Sequence, residues 1–161
     1  MDKRVKSIKL EELKAFLARA NMPHADGTAK IVKEADGSRT ITYTEGDYRM
    51  HDNFFGGEPY GGRLVIFYNE RPVFIEVYYG TTNRPADEVY AFLREALQHP
   101  SKANPFRGPA EYRNMNLTYR SSVEGDISNH TVKGYIYDED KEVYSAVIMR
   151  GLVDRSANNA M

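Results

Sequence analysis

Cysteine and tryptophan are absent from this 161-residue chain. Without cysteine there is no disulfide, no thiolate zinc site and no cysteine nucleophile, which fits a reducing, cytoplasmic setting. No stretch approaches the roughly 20 consecutive apolar residues that a membrane-spanning helix needs. Residues 1–20 carry charges throughout and lack an apolar core segment, so no signal peptide is expected. An excess of either charge is missing too. Twenty-two Lys and Arg oppose 23 Asp and Glu, for a net charge of −1. Such a balance supplies no global field to draw the protein onto duplex DNA, RNA or anionic lipid. The one basic cluster, Lys3, Arg4, Lys6 and Lys9, reads as a solvated arm.

What is present points to a globular domain. Hydrophobic residues make up 41% and charged residues 28%, an ordinary balance for a packed chain. The length suits one domain, placed at residues 1–153 with a tail at 154–161. Twelve Tyr and seven Phe favour pleated, half-buried surface and therefore sheet.

Leu10, Leu13, Phe16 and Leu17 recur at helical spacing, with Ser7 as cap and Pro23 beyond the end, predicting a helix over 8–20. Segments 28–35 and 38–44 flank Asp36-Gly37, a hairpin signal that sets Val32 opposite Ile41 and Glu34 opposite Arg39. The glycine-rich stretch 53–62 is expected to be irregular. Strands over 63–68 and 72–79 follow, with Tyr68 paired to Val73. In that register Leu64, Ile66, Tyr68, Val73, Ile75 and Val77 form an apolar core face. Arg63, Val65, Phe67, Phe74, Glu76 and Tyr78 form an aromatic face that borders a cavity or an interface. A second helix spans 86–98, with Asp87 and Glu88 in its first turn, where the helix dipole favours acids. Three more strands run over 112–120, 131–137 and 142–150.

Short connections make the strands antiparallel, so the fold class is α+β: a mainly antiparallel sheet of about seven strands with two helices. The order helix, strands, helix, strands is readable as a degenerate duplication, with Glu45-Gly46-Asp47 and Glu124-Gly125-Asp126 following strands in each half.

Three segments carry a resemblance: Phe55-Gly56-Gly57-x-Pro59-Tyr60-x-Gly62, then Pro72-Val73 leading to Tyr78-Tyr79-Gly80, then Pro105-x-Arg107-Gly108-Pro109 after a helix ending Ala96-Leu97. Over about residues 40–153 this pattern resembles an uncharacterised bacterial family, a domain of unknown function found alone or behind helix-turn-helix DNA-binding domains. The resemblance implies a regulatory association in which the domain takes the position of a sensor. A single short helix precedes the sheet here, too little for a helix-turn-helix unit.

Candidate site residues follow from chemistry. A phosphate loop needs amides at a helix N-terminus, whereas a strand follows glycines 56–62, so they read as a loop that lets Phe54, Phe55 and Tyr60 pack, or as a flap. Arg107, held between prolines, presents a guanidinium at low entropy cost, either to a ligand or to main-chain carbonyls and Glu76. Glu76 on an aromatic face needs a partner; Arg63 is its diagonal neighbour in the predicted register, and a general base is the alternative. The four histidines lack metal-ligand spacing, and His51-Asp52 lacks a nucleophilic serine context. No cofactor motif is present.

Two functions of different class follow. The first is a non-catalytic sensor or interaction module that binds a small ligand or a partner protein, with a homodimer compatible. The second is a small enzyme using Glu76, Arg107 and tyrosines. The ligand-binding set is Arg107, Glu76, Tyr78, Phe74, Phe67, Arg63 and Tyr60.

Overall fold

The computed structural model describes residues 9–100 and 108–154. The chain runs α1 (Leu10–Asp26), β1 (Val32–Lys33), β2 (Arg39–Glu45), β3 (Tyr48–Phe55), β4 (Tyr60–Tyr68), β5 (Arg71–Thr82), α2 (Ala86–Leu97), β6 (Glu111–Asn114), β7 (Leu117–Asp126), β8 (Asn129–Asp138) and β9 (Lys141–Leu152). This is the expected α+β class, but the sheet has nine antiparallel strands, not about seven, in the order β1-β2-β3-β4-β5-β9-β8-β7-β6. The difference arises at two places. Residues 48–55 form a strand of their own, and segment 112–120 breaks at Met115, whose φ of 55° turns the chain between β6 and β7.

Local chemistry explains most boundaries. α1 buries Leu13, Phe16, Leu17 and Ala20, and runs past residue 20 to a left-handed Gly27 whose N–H bonds the Pro23 carbonyl. Pro23 therefore sits inside the helix, in its last turn, where it supplies no N–H to the helical ladder. Ser7 lies outside the described residues; Lys9 occupies the N-cap, with no side-chain cap bond. At the first hairpin the Glu34 N–H bonds the Ser38 carbonyl across Ala35-Asp36-Gly37. A three-residue loop with Gly37 at φ 89° thus sets Val32 opposite Thr40, not Ile41, and Lys33 opposite Arg39, not Glu34. Asn53–Phe55 and Tyr60–Gly62 are strand, so only residues 56–59 are loop.

The β4–β5 hairpin departs most from expectation. Asn69 and Glu70 both take positive φ, a two-residue turn that pairs Tyr68 with Arg71 rather than Val73. A bulge between Ile66 and Phe67 then shifts the register, so that Ile66 faces Phe74 and Leu64 faces Glu76. Val73 and Phe74 are both buried, and beyond them Glu76 and Tyr78 point to the helical side while Val77 and Tyr79 point away, exposed. The expected aromatic face is therefore split. Phe74 lies in the core, whereas Phe67 is half-buried on the opposite face with the Arg49 guanidinium 4.1 Å over its ring.

The second half repeats the device. β8 and β9 meet at a two-residue turn, Glu139-Asp140, with a bulge between Ile136 and Tyr137, and Val143 and Tyr144 are both buried beyond it. Each half is a helix followed by a meander, and the last strands of the two meanders pair. The repeated Glu-Gly-Asp tripeptides sit at non-equivalent turns, β2–β3 and β7–β8.

Two apolar cores result. One packs α1 on Ile41, Met50, Leu64, Ile66 and Phe74; the other packs α2 on Tyr119, Val132, Ile136, Tyr144 and Ile148. Where β5 joins β9, the row between them is polar. Glu76 pairs in register with Arg150, and Arg150 with His130, all three buried. The Glu76 carboxylate lies 3.1 Å from the Arg150 guanidinium. Arg63 is not its partner, because the bulge turns Glu76 to the helical face and leaves Arg63 exposed on the other. Among the described residues no helix is long and apolar enough to cross a membrane.

This row makes stability depend on pH. Burial lowers the His130 pKa from its ordinary value, the Arg150 charge lowers it further, and a main-chain hydrogen bond at Asp126 with the charges of Glu76 and Asp126 opposes them. The unfolded chain therefore takes up a proton near pH 6.5 that the folded chain refuses. The stability present above about pH 6.5 is lost as pH falls. Thermal melts between pH 8 and 5 should show the melting temperature dropping on acidification, with a shallower drop in His130→Gln. Superimposable pH profiles for the two proteins would contradict this assignment.

Candidate functional site

A cavity of about 380 Å³ opens between α1, α2 and strands β2–β5. Most of its wall is apolar, with Ile41, Met50, Leu64 and Leu93 among the lining side chains. Polar groups converge from three directions. The sheet contributes Asp52, Glu76 and Tyr78, the helices contribute Asn21, His24 and Arg94, and Tyr60 and Tyr90 close one side. Arg39 and Arg94 are exposed and stand at its solvent side.

The tyrosines are placed by glycines across the strand. Tyr60 pairs with Gly80, and Tyr78 pairs with Gly62. A Cβ at Gly62 would fall 2.7 Å from the Tyr78 hydroxyl, and one at Gly80 only 2.5 Å from the Tyr60 ring. Each ring thus lies over the backbone of the opposite strand where a side chain would otherwise stand. Crossing Gly62, Tyr78 donates a 2.5 Å hydrogen bond to the Asp52 carboxylate. Crossing Gly80, Tyr60 reaches Tyr144, and their hydroxyls share a 2.6 Å hydrogen bond. The Tyr60 ring also meets Tyr78 at 6.1 Å and Tyr90, edge to face, at 5.8 Å.

Protonation follows from these surroundings. Burial pushes the Tyr78 phenol far above the usual tyrosine range, and the charge and hydrogen-bonding of Asp52 push it further. Tyr90 is raised for the same reasons, burial first and then its hydrogen bond to Glu58. For Glu58 the largest single effect is desolvation, which raises its pKa. Hydrogen bonds from Tyr90, the Thr82 N–H and the Thr81 hydroxyl together outweigh it and hold the carboxyl below its ordinary value. Glu58 accepts at 2.7 Å from Thr81 and 2.9 Å from Thr82, so loop 56–59 is tied to the end of β5 and to α2. That loop is pinned, not a free flap.

Of the residues the sequence pointed to, Glu76, Tyr78 and Tyr60 line this cavity. Phe74, Phe67 and Arg63 do not line it, for the reasons of register given above. Arg107 lies outside the described residues, although its neighbour Gly108 lines the cavity. Sequence reasoning missed Asp52 as the Tyr78 acceptor and Arg150 as the Glu76 partner. The signal for the first was legible: Tyr60-x-Gly62 and Tyr78-x-Gly80 are each a tyrosine two residues before a glycine, and in antiparallel pairing each tyrosine meets the other's glycine.

The crossing can be tested by a double-mutant cycle. Tyr78→Phe removes a donor to a carboxylate and should cost about 1–3 kcal/mol. Gly62→Ala forces a Cβ against Tyr78 and the Asn53 carbonyl and should cost about 1–3 kcal/mol. Because both changes act on one contact, urea denaturation of the double variant should show a loss at least 0.5 kcal/mol smaller than the sum, roughly the lower limit for coupled neighbours. Strict additivity would mean that Tyr78 does not depend on Gly62.

No curated protein and no solved structure matches this chain. A family model does match, beginning at residue 52 rather than near residue 40 as the resemblance suggested. Asp52, Glu58, Tyr60, Gly62, Glu76, Tyr78, Gly80, Tyr90 and Arg150 all fall inside the matched segment, whereas α1 and its side of the cavity fall outside it. By this match over residues 52–153, the chain belongs to the family described as Domain of unknown function (DUF5680).

Proposed function

We propose that this domain is a non-catalytic module that binds a small organic ligand in the cavity between its two helices and the sheet. The observation that carries the reading is the convergence of Asp52, Glu76, Tyr78 and Tyr60 on one mostly apolar cavity of about 380 Å³. Concave apolar sites with a few placed polar groups, roughly 300–1,000 Å³ in volume, are the usual form of small-ligand sites.

Chemistry argues for binding over turnover. A phenol raised as far as Tyr78 serves as a neutral hydrogen-bonding group and not as a base near neutral pH. Glu76 is already committed to an ion pair with Arg150. No serine, threonine, cysteine or lysine is among the described residues lining the cavity. The same reading suits a cytoplasmic bacterial sensor. A ligand held between α1 and α2 would stiffen contacts between the two helices, which already meet where the Gln98 side chain donates to the Ala25 carbonyl at 3.2 Å. With a net charge of −1, the domain on its own is not expected to hold duplex DNA.

Ala18 lines the cavity from α1 and is half-buried, outside the core. Ala18→Phe therefore fills space in the cavity without opening the core. Screening a fragment panel by thermal shift should find compounds that raise the melting temperature of the unmutated protein by about 3 °C or more, a shift that corresponds to roughly 1 kcal/mol for a domain of this size. The same compounds should leave Ala18→Phe unshifted. Equal shifts in both proteins, or none in either, would remove the cavity as the binding site.

A further inference from the structure

Both helices lie on one side of the sheet, where α1 and α2 each cover an apolar core. The other side carries neither, and its apolar side chains gather on the two central strands, β5 and β9. Val77 and Tyr79 on β5 are 45% and 56% exposed, and Val147 and Met149 on β9 are 42% and 57% exposed. Residues paired across an antiparallel ladder share a face, and Val77 pairs with Met149 while Tyr79 pairs with Val147. The four therefore form one block. Gly61 lies opposite Tyr79 and Phe55 opposite Gly61, so Phe55, also half exposed, extends the block across β4 to β3. Five of the nine large apolar side chains exposed among the described residues thus share one patch. Single apolar side chains are normal on a surface, but a contiguous patch marks an interaction site.

The same rows frame the patch with positive charge. Arg63 flanks Val77 on β4 and Lys133 flanks Val147 on β8. Both are exposed, and neither forms an ion pair among the described residues. Along these rows the first carboxylate is Glu124, two strands beyond Met149, or about 10 Å away. Glu58, in the loop after Phe55, is already bonded to Thr81, Thr82 and Tyr90. A second copy of this chain would bring cations against cations. The segments outside the described residues have the same sign: 1–8 hold Lys3, Arg4 and Lys6 against Asp2, while 101–107 and 155–161 carry only Lys102, Arg107 and Arg155 as charged side chains. Base stacking needs ring faces, and three of the five patch side chains have none. Strand addition needs a free backbone edge, and β5 and β9 are each paired on both sides. The occupant must therefore offer side chains, apolar over the block and acidic over the frame.

We propose that the outer face of β5 and β9 docks an acidic amphipathic helix of a partner protein. Its apolar stripe rests on Val77, Tyr79, Val147 and Met149, and its carboxylates meet Arg63 and Lys133. A helix laid on a sheet face is the packing that this sheet already uses twice on its inner side. Alternation along β5 sets the docking surface back to back with the cavity, Val77 and Tyr79 facing out while Glu76 and Tyr78 face in. The surface does not depend on the cavity holding a ligand.

The probes are three peptides of about five helical turns, roughly 18 residues each, long enough to hold helix in water. One has a leucine stripe flanked by glutamates, and the second has the same stripe flanked by lysines. The third keeps the composition of the glutamate peptide with its stripe scrambled. Titrated into the full chain and followed on methyl NMR signals, the glutamate peptide should bind about tenfold or more tightly than either of the others, and added salt should weaken it. It should shift the Val77, Val147 and Met149 methyls and leave Met50, which lines the cavity, unmoved. Changing both exposed cations, Arg63→Glu with Lys133→Glu, should reverse the preference in favour of the lysine peptide. The comparison of peptides on the unmutated protein stands whatever the stability of that double variant. Equal or inverted preference there, no binding of the glutamate peptide, or shifts centred on Met50 would overturn the proposal. So would a Met149 methyl moved by dimerisation of the chain alone, by a single-stranded oligonucleotide or by phosphatidylserine vesicles in preference to the glutamate peptide.

Discussion

One extra residue at the start of β5 decides what this molecule can do. Tyr68 and Arg71 close the β4–β5 hairpin, and strict alternation from that turn would have sent Ile75, Val77 and Tyr79 toward the helices. The bulge between Ile66 and Phe67 breaks the alternation after two consecutive buried residues, Val73 and Phe74, so the rest of β5 is reversed. Glu76 and Tyr78 then face inward, Gly62 comes to lie under Tyr78, and Asp52 comes within its reach. The matching bulge between Ile136 and Tyr137 sets the phase of β9 in the same way, which puts Arg150 on the inner face opposite Glu76. The cavity wall is thus a consequence of register.

The seam between the halves is where this arrangement is most costly. α1 and α2 each cover their own apolar core, and the row linking the cores is Glu76, Arg150 and His130 rather than aliphatic side chains. A buried ion pair adds little net stability compared with well-packed apolar residues, yet removing one partner costs about 3–5 kcal/mol. Such a pair is poorly explained by stability alone. Its place beside a cavity accounts for it better, because Arg150 holds the Glu76 carboxylate at the cavity wall.

The family match divides the cavity along similar lines. Asp52, Leu64, Glu76, the tyrosines and the pinned loop belong to the shared segment 52–153, whereas the α1 side and the sheet residues Arg39, Ile41 and Met50 precede it. The acceptor chemistry thus sits on the family part, while the α1 contribution of Asn21, His24 and Ala18 shapes the opening.

Both helices, the antiparallel α+β class, the two later hairpins and the membership of Glu76, Tyr78 and Tyr60 in one site were legible in the sequence. Each rests on short-range signals: apolar spacing on α1 and α2, turn residues, and tyrosines set two positions before glycines. The count of strands was not, since it turns on the strand at 48–55 and the break at Met115. Nor were the partner of Glu76 and the separation of Phe67 from Phe74, which depend on a bulge that no residue type marks, because the bulge forms to bury Val73 and Phe74 together against α1, a core assembled from residues far apart in the chain. By itself the sequence determined the elements and the chemistry available to them. Only the tertiary structure decided which side of each strand met the helices, since a shift of one residue in a pleated sheet exchanges its two faces.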